Sequence, residues 1–183
     1  MLLAICGAPG SGKTTVADFI TSRWNAMTID DGAPLRRACM EVYGLSWADV
    51  MTQEGKAKTI VTANGSSHQV RDLLGLMGNH LEALHGDGIL AELALARLNR
   101  EYPDTQFAVF PSCRKTQGHV YAAAGGKVLE IVRPGCVATR DFDRYDQSAV
   151  SCTLVNNGSI DDLKFGVVKA LVQLFQTRED YAV

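Results

Sequence analysis

A chain of 183 residues is long enough for one domain with a substantial core. Its hydrophobic fraction of 46% and charged fraction of 21% are ordinary for a water-soluble protein, and a net charge of −2 offers no positive field for nucleic acid or an anionic membrane. No apolar run approaches the ~20 residues that span a bilayer, and the apolar start is consumed by a strand rather than a basic-headed leader.

In chain order, the run Leu2-Leu3-Ala4-Ile5-Cys6 fits a short buried strand, and residues 15–24 place Val16, Phe19, Ile20 and Trp24 at helical spacing. A second strand is expected over 26–29, ending in Asp30-Asp31-Gly32 and taken to neighbour the first. A helix follows from Ala33 or Pro34 to Tyr43, stopped by Gly44, with Leu35, Ala38, Cys39 and Val42 inward. Residues 46–67 carry little periodicity. Ser46 suits the cap of a short helix through Met51, Asn64-Gly65-Ser66-Ser67 suits a turn, and the stretch is expected to be mobile. From His68 the spacing of Val70, Leu73, Leu74, Met77, Leu81 and Leu84 predicts a helix ended by His85-Gly86. Asp87 suits the cap of another through Arg100, with Ile89, Leu90, Leu93 and Leu98 inward. Strands are expected over 107–110, 128–132 and 152–155, with a helix over 117–124 between the first two. A final helix opens on Asp161 and Asp162 and buries Ile160, Leu163, Val167, Val168, Leu171, Leu174 and Phe175; the tail beyond Thr177 looks polar and frayed. Five short apolar strands separated by helices predict a three-layer α/β/α fold with a five-stranded parallel sheet. One domain should span 1–183, with no linker or repeat dividing it.

Chemistry enters at the first strand–helix junction. Gly7-Ala8-Pro9-Gly10-Ser11-Gly12-Lys13-Thr14 is a complete phosphate-binding loop, in which glycines free backbone N–H groups to curl around an anion at a helix N-terminus. Lys13 reaches β- and γ-phosphates, and the Thr14 hydroxyl suits Mg²⁺. The pattern implies a nucleoside triphosphate, with Thr15 completing the ATP-binding set. No N-K-x-D run and no D-x-x-G follow, which excludes a GTPase. The strand at 107–110 ends Pro111-Ser112 without an acid to hold Mg²⁺ and polarise water, unlike a motor ATPase. In a parallel sheet, ligands gather at the carboxyl ends of strands, and those ends are polar here: Lys13, Asp30, Asp31, Arg114, Lys115, Arg133 and Asn157. Asp30 and Asp31 are the carboxylates available near the acceptor. Arg36, Arg37, Arg71, Arg114, Arg133, Arg140 and Arg144 punctuate loops and helix starts, and arginine suits bidentate phosphate recognition. Cys6, Cys39, Cys113, Cys136 and Cys152 are odd in number and never in C-x-x-C pairs; they read as reduced thiols of a cytoplasmic protein. His80 and His85 lack a second ligand pair and define no structural metal site.

The phosphate loop, the segment Ala33-Pro34-Leu35-Arg36-Arg37-Ala38 with Tyr43-Gly44-Leu45, and the run Gln69-Val70-Arg71-Asp72-Leu73-Leu74-Gly75-Leu76-Met77-Gly78 resemble phage deoxynucleoside monophosphate kinases. So do Ser112-Cys113-Arg114, the strand from Gly125 to Pro134 and the stretch from Val155 to Leu163, in the same order over almost the whole chain. The resemblance implies transfer of the γ-phosphoryl group of ATP, with Mg²⁺, to a deoxynucleoside monophosphate, in the host cytoplasm if the chain is phage-encoded. It implies an acceptor-binding helical region over about 33–71, with Asp31, Arg36, Arg37, Gln69, Arg71 and Arg114 at the acceptor. A lid over about 136–150 would carry Arg140 and Arg144, which join Lys13, Asp30, Asp31 and Arg114 in the catalytic set. Asn157 and Gly158 would lie by the adenine. Two departures stand out. Ser112-Cys113-Arg114 has no carboxylate where relatives show Asp-Val-Arg, and residues 145–149 lack their His-x-Ser-Glu. Dephospho-coenzyme A kinase and phosphomevalonate kinase share parts of the pattern, so another small acceptor is the nearest alternative. A non-catalytic ATP-sensing module is the alternative from another class. Gln53, Gln69 and Trp47 are candidates for reading the base, and apolar residues on the long helices suit either a core or a homodimer.

Overall fold

Runs such as Leu3-Ala4-Ile5 and Val128-Leu129 are apolar on both sides of the pleat, so the strands they form must be covered on both faces. The computed structural model, which describes residues 1–175, shows how that is met. The elements in order are β1 (Leu2–Cys6), α1 (Lys13–Arg23), β2 (Met27–Thr28), α2 (Ala33–Tyr43), α3 (Trp47–Met51), α4 (Gln53–Ala57), β3 (Thr59–Val61) and β4 (Ser67–Gln69). They continue as α5 (Val70–His85), α6 (Ile89–Glu101), β5 (Ala108–Phe110), α7 (Gln117–Ala123), β6 (Lys127–Val132), β7 (Cys152–Val155) and α8 (Ile160–Phe175). The polar tail expected beyond Thr177 lies outside the described residues.

Five strands form one parallel sheet in the order β2-β5-β1-β6-β7, giving the expected three layers. On one face Leu3, Ile5, Val109, Leu129 and Ile131 meet Val16 and Ile20 of α1 and Leu163, Val167 and Leu171 of α8. On the other, Ala4, Cys6, Phe110 and Val128 meet Ala91, Ala94 and Leu98 of α6 and Tyr121 of α7. The strand order corrects one expectation: β5 lies between β1 and β2, so the end of β2 that carries Asp30 and Asp31 is separated from the phosphate loop by an intervening strand.

A smaller core of Cys39, Leu45, Val50 and Val70 holds α2, α3 and α5 together beside the sheet. Residues 46–67 are more ordered than expected. Ser46 caps α3 reciprocally with Asp49, Thr52 caps α4 through Gly55 N–H, and β3 pairs antiparallel with β4 around the 62–66 turn. His68 and Gln69 therefore belong to a strand, not to the helix expected from 68.

Several inward residues also differ. Val42, Leu84 and Leu93 are exposed, whereas Gly75, Gly78, Ala91 and Ala94 are buried. Gly78 sits where an added Cβ would touch Leu35 and Leu90 at 3.4 and 3.8 Å, so small residues form the seam between α2, α5 and α6. Ile160 and Val168 of α8 are likewise exposed, and Gly88 rather than Asp87 precedes α6. All five cysteines are free thiols. No helix among the described residues is long and apolar enough to cross a membrane.

Candidate active site

The carboxyl ends of β1, β2, β5 and β6 open on a single cleft of about 360 Å³, roofed by residues 140–144 and flanked by α2, α4 and α5. Its floor is the phosphate loop. Gly7 has φ 142° and Gly12 has φ 108°, conformations that side-chain-bearing residues rarely adopt. Each is also closely packed: a Cβ on Gly7 would collide with the Ile131 carbonyl oxygen, and one on Gly12 would lie 2.8 Å from Asn156 Nδ2. Asn156 is buried and donates from Nδ2 to the Ser11 carbonyl at 2.8 Å, so the segment after β7 fixes the loop's shape. Ser11 N–H donates to Ala8 O at 3.1 Å, closing the turn that carries Pro9 and Gly10.

Lys13 Nζ donates to the carbonyls of Gly7 at 2.6 Å and Ala8 at 2.9 Å, folded over the loop it serves. Burial, with Arg114 nearby, lowers its pKa from 10.5 to about 8. Thr14 and Thr15 line the cleft beside it.

Opposite the loop stands a group of cations from four elements. Arg36 of α2, Lys56 of α4, Arg71 of α5 and Arg114 after β5 all line the cleft, and Arg133 after β6 joins from the sheet side. Lys56 was not anticipated. Burial first, then Arg36, Arg71 and Arg114, brings its pKa from 10.5 down to about 8. Arg36 is lowered too, by burial and then by Arg114. Arg36 ion-pairs with Asp30, and Arg71 donates to Gln53. Asp30 also accepts from Gly32 N–H at 3.0 Å, so it anchors the start of α2 and does not line the cleft.

Two carboxylates do line it. Asp31 is 5% exposed, and burial, eased partly by Arg114, raises its pKa from 3.8 to about 6. Asp143, which sequence reasoning did not single out, is 6% exposed and faces Lys13 and Lys56. Each leaves its Oδ2 without a hydrogen-bond partner. The only signal for Asp143 was its place in the polar stretch expected to form a lid; nothing in the sequence marked Lys56.

The roof is latched to α5. Arg140 donates from Nε to Asp72 at 2.7 Å and from Nη2 to Gln69 at 2.8 Å. The Phe142 ring lies so close to Gly75 that a Cβ there would overlap it. Arg114 stacks under the same ring at 6.0 Å from its centroid and donates to the Phe142 carbonyl at 3.4 Å. Behind the roof, Glu130 in β6 is buried and accepts from Tyr145 Oη at 2.6 Å, Gln147 Nε2 at 3.2 Å and Thr153 Oγ1 at 2.7 Å.

The cleft thus gathers Lys13, Thr14, Asp31, Arg36, Arg71 and Arg114. Arg140 and Gln69 touch each other in the latch, outside the lining, while Arg37, Arg144 and Asn157 are exposed and are not part of it. Gln53 lines the cleft and Trp47 is exposed at 57%. Among the described residues no group of three or more His, Cys, Asp or Glu could hold a metal by itself.

The sequence matches no family model and no curated protein. Among solved structures it is similar to TT1252 from Thermus thermophilus at 19% identity and a TM-score of 0.51, covering 95% of this chain and 97% of that one. It is also similar to the dephospho-CoA kinase from Campylobacter jejuni at 14% identity and a TM-score of 0.46, covering 94% and 96% of the two chains. The APS kinase CysC from Mycobacterium tuberculosis gives 17% identity and a TM-score of 0.40 over 93% and 95%. The first likeness bears on the fold alone, and the other two overlay too loosely to carry an argument.

Proposed function

We propose that the chain is an ATP-dependent kinase that phosphorylates a small acceptor already bearing a phosphate, and specifically a deoxynucleoside monophosphate. The observation that carries this reading is the meeting of a complete phosphate loop with Arg36, Lys56, Arg71 and Arg114 in one cleft. These cations outnumber the two carboxylates that line the same cleft, and two phosphate-bearing ligands side by side would neutralise the excess. A triphosphate alone would be served by the loop and Lys13.

The loop amides and Lys13 hold the β- and γ-phosphates, with Lys13 swinging from the Gly7 and Ala8 carbonyls onto phosphate oxygens. Arg36, Lys56 and Arg71 hold the acceptor phosphate. Arg114 affects both Lys13 and Lys56, which suits it to the equatorial oxygens of the group in transit. No base is required, because the acceptor phosphate is already anionic at neutral pH. The residues fit Mg²⁺: the Thr14 hydroxyl and the orphaned Asp31 oxygen are hard donors, and Mg²⁺ is commonly held by one or two carboxylates plus substrate phosphates. When bound, the ion would neutralise charge on the β- and γ-oxygens. The roof excludes water that would otherwise hydrolyse ATP.

A nucleotide acceptor is supported by the surroundings of those cations. Leu35 precedes Arg36, Leu74 lies one turn after Arg71, and Leu90 and Phe142 complete an apolar wall in the same cleft. A flat base has area to bury there. The sequence resemblance to deoxynucleoside monophosphate kinases points the same way.

The test is ADP release with a panel of deoxynucleoside and ribonucleoside monophosphates, dephospho-coenzyme A and phosphomevalonate. We expect stimulation by one or more deoxynucleoside monophosphates. ATP binding with no stimulation by any acceptor would favour a sensing module and sink the kinase reading. Arg71→Ala should cost about 2 kcal/mol of transition-state stabilisation, as for a charge-assisted contact to phosphate. A loss confined to ATP binding would place Arg71 on the wrong ligand.

A further inference from the structure

Asp143 has no partner that explains it. It is carried by a roof whose contacts with the rest of the molecule are made by other groups: Arg140 to Asp72 and Gln69, Phe142 against Gly75, and the Phe142 carbonyl to Arg114. Its carboxylate contributes to none of them, yet it is buried in the cleft with Oδ2 unpartnered. Lys13 and Lys56 balance its charge. Once phosphates occupy those lysines, a bare carboxylate beside them is repelled, and repulsion would push the roof open when it most needs to be shut. A divalent cation between carboxylate and phosphates reverses the sign of that interaction. β5 is followed by Pro111-Ser112 and offers no acid for the purpose, while Asp31 supplies a second orphaned oxygen to the same cleft.

Resting on the kinase reading above, we propose that Asp143 is the roof's own holder of the divalent cation that enters with the nucleoside triphosphate, either directly or through a bound water. The cation then ties roof to floor, and closure depends on it.

The test uses the full chain, a β,γ-methylene ATP analogue and Mn²⁺ as the probe. Mn²⁺ binding to the analogue complex is followed by electron paramagnetic resonance, and roof closure by the rate of tryptic cleavage at Arg140 and Arg144. In the wild type, Mn²⁺ should slow that cleavage beyond the effect of the analogue alone; no added protection overturns the proposal without recourse to any variant. Asp143→Asn should bind the metal-free analogue at least as tightly as wild type, weaken Mn²⁺ in the complex by about tenfold or more, and lose the added protection. Asp141→Asn, on an exposed neighbour, should behave as wild type. If Asp143 serves only as countercharge to the lysines, Asp143→Asn tightens the analogue equally with and without Mn²⁺, and Mn²⁺ affinity stays within about twofold of wild type; that result overturns the proposal. Failure of the analogue to bind at all brings down the kinase reading along with it, whereas binding with indifference to Asp143 removes this inference alone.

Discussion

Lys13 and Lys56 sit in a cleft that would rather they were neutral. Their ordinary pKa of 10.5 falls to about 8 in the folded chain, so between those values the unfolded chain binds more protons. Stability therefore rises as pH climbs through about 8, and at neutral pH the fold carries the cost of keeping both lysines charged. Asp31 adds to that cost with the opposite pH dependence. Its pKa rises from 3.8 to about 6, so its contribution is lost as pH rises between those values and stays lost at neutrality. Phosphate binding restores the lysines' protons. Calorimetry of ATP binding in two buffers of different ionisation heat should thus show proton uptake at about pH 9 and little at about pH 7. Equal uptake at both would mean that the lysines are not the groups phosphate meets. Lys56→Met keeps the stem and removes the charge. The melting temperature of the empty protein should rise, by the equivalent of about 1 kcal/mol, while KM for the acceptor rises about tenfold. An unchanged KM would take Lys56 off the acceptor. The sequence could show that arginines mark strand ends, but not Lys56, which sits in a five-residue helix with no periodicity to announce it.

The longer elements announced themselves because one force dominates each. β1 and β5 are unbroken apolar runs, and Ser46 caps α3 through its own side chain. The hairpin of β3 and β4 is not legible in the sequence, because three-residue strands such as Ser67-His68-Gln69 carry neither apolar alternation nor length. The inward faces of α5 and α6 depart from the apolar spacing for a different reason. Counting large apolar side chains selects Leu84 and Leu93, whereas close helix approach selects Gly75, Gly78, Ala91 and Ala94. Gly75 matters most, since the Phe142 ring occupies the space its side chain would take. Gly75→Ala should unseat the roof at a cost of about 1–3 kcal/mol, typical of overpacking. The readout is steady-state kinetics: kcat for transfer falls while ATP hydrolysis without acceptor rises. A variant with both rates unchanged would show that Phe142 has room to move aside.

Across the whole molecule, the parallel sheet explains why residues distant in sequence share one cleft. Every strand points its carboxyl end the same way, so the loop after β1, Asp31 after β2, Arg114 after β5 and Arg133 after β6 fall along one edge. That much could be read from the alternation of strands and helices. The order β2-β5-β1-β6-β7 could not, because the apolar strands carry no label of their neighbours. The cleft also joins parts that need not move together: the sheet, the bundle of α2 to α5, and the roof. ATP and acceptor together should therefore protect the protein from heat by more than the sum of each alone. A ligand at about 100 times its Kd contributes about 2.7 kcal/mol by mass action, and any excess measures their coupling. Strict additivity in a thermal-shift titration would mean that the two sites ignore each other.

Glu130 has a consequence for how the roof travels. By binding Tyr145, Gln147 and Thr153 at once, this carboxylate bolts the chain to the sheet immediately beyond the roof. The downstream end behaves as a fixed doorpost, whereas the upstream stretch that leaves β6 forms no helix or strand before the roof. On the kinase reading, opening would be a swing on one hinge rather than the lifting of a loose flap, with Phe142 and Asp143 retracing the same arc each time the door shuts.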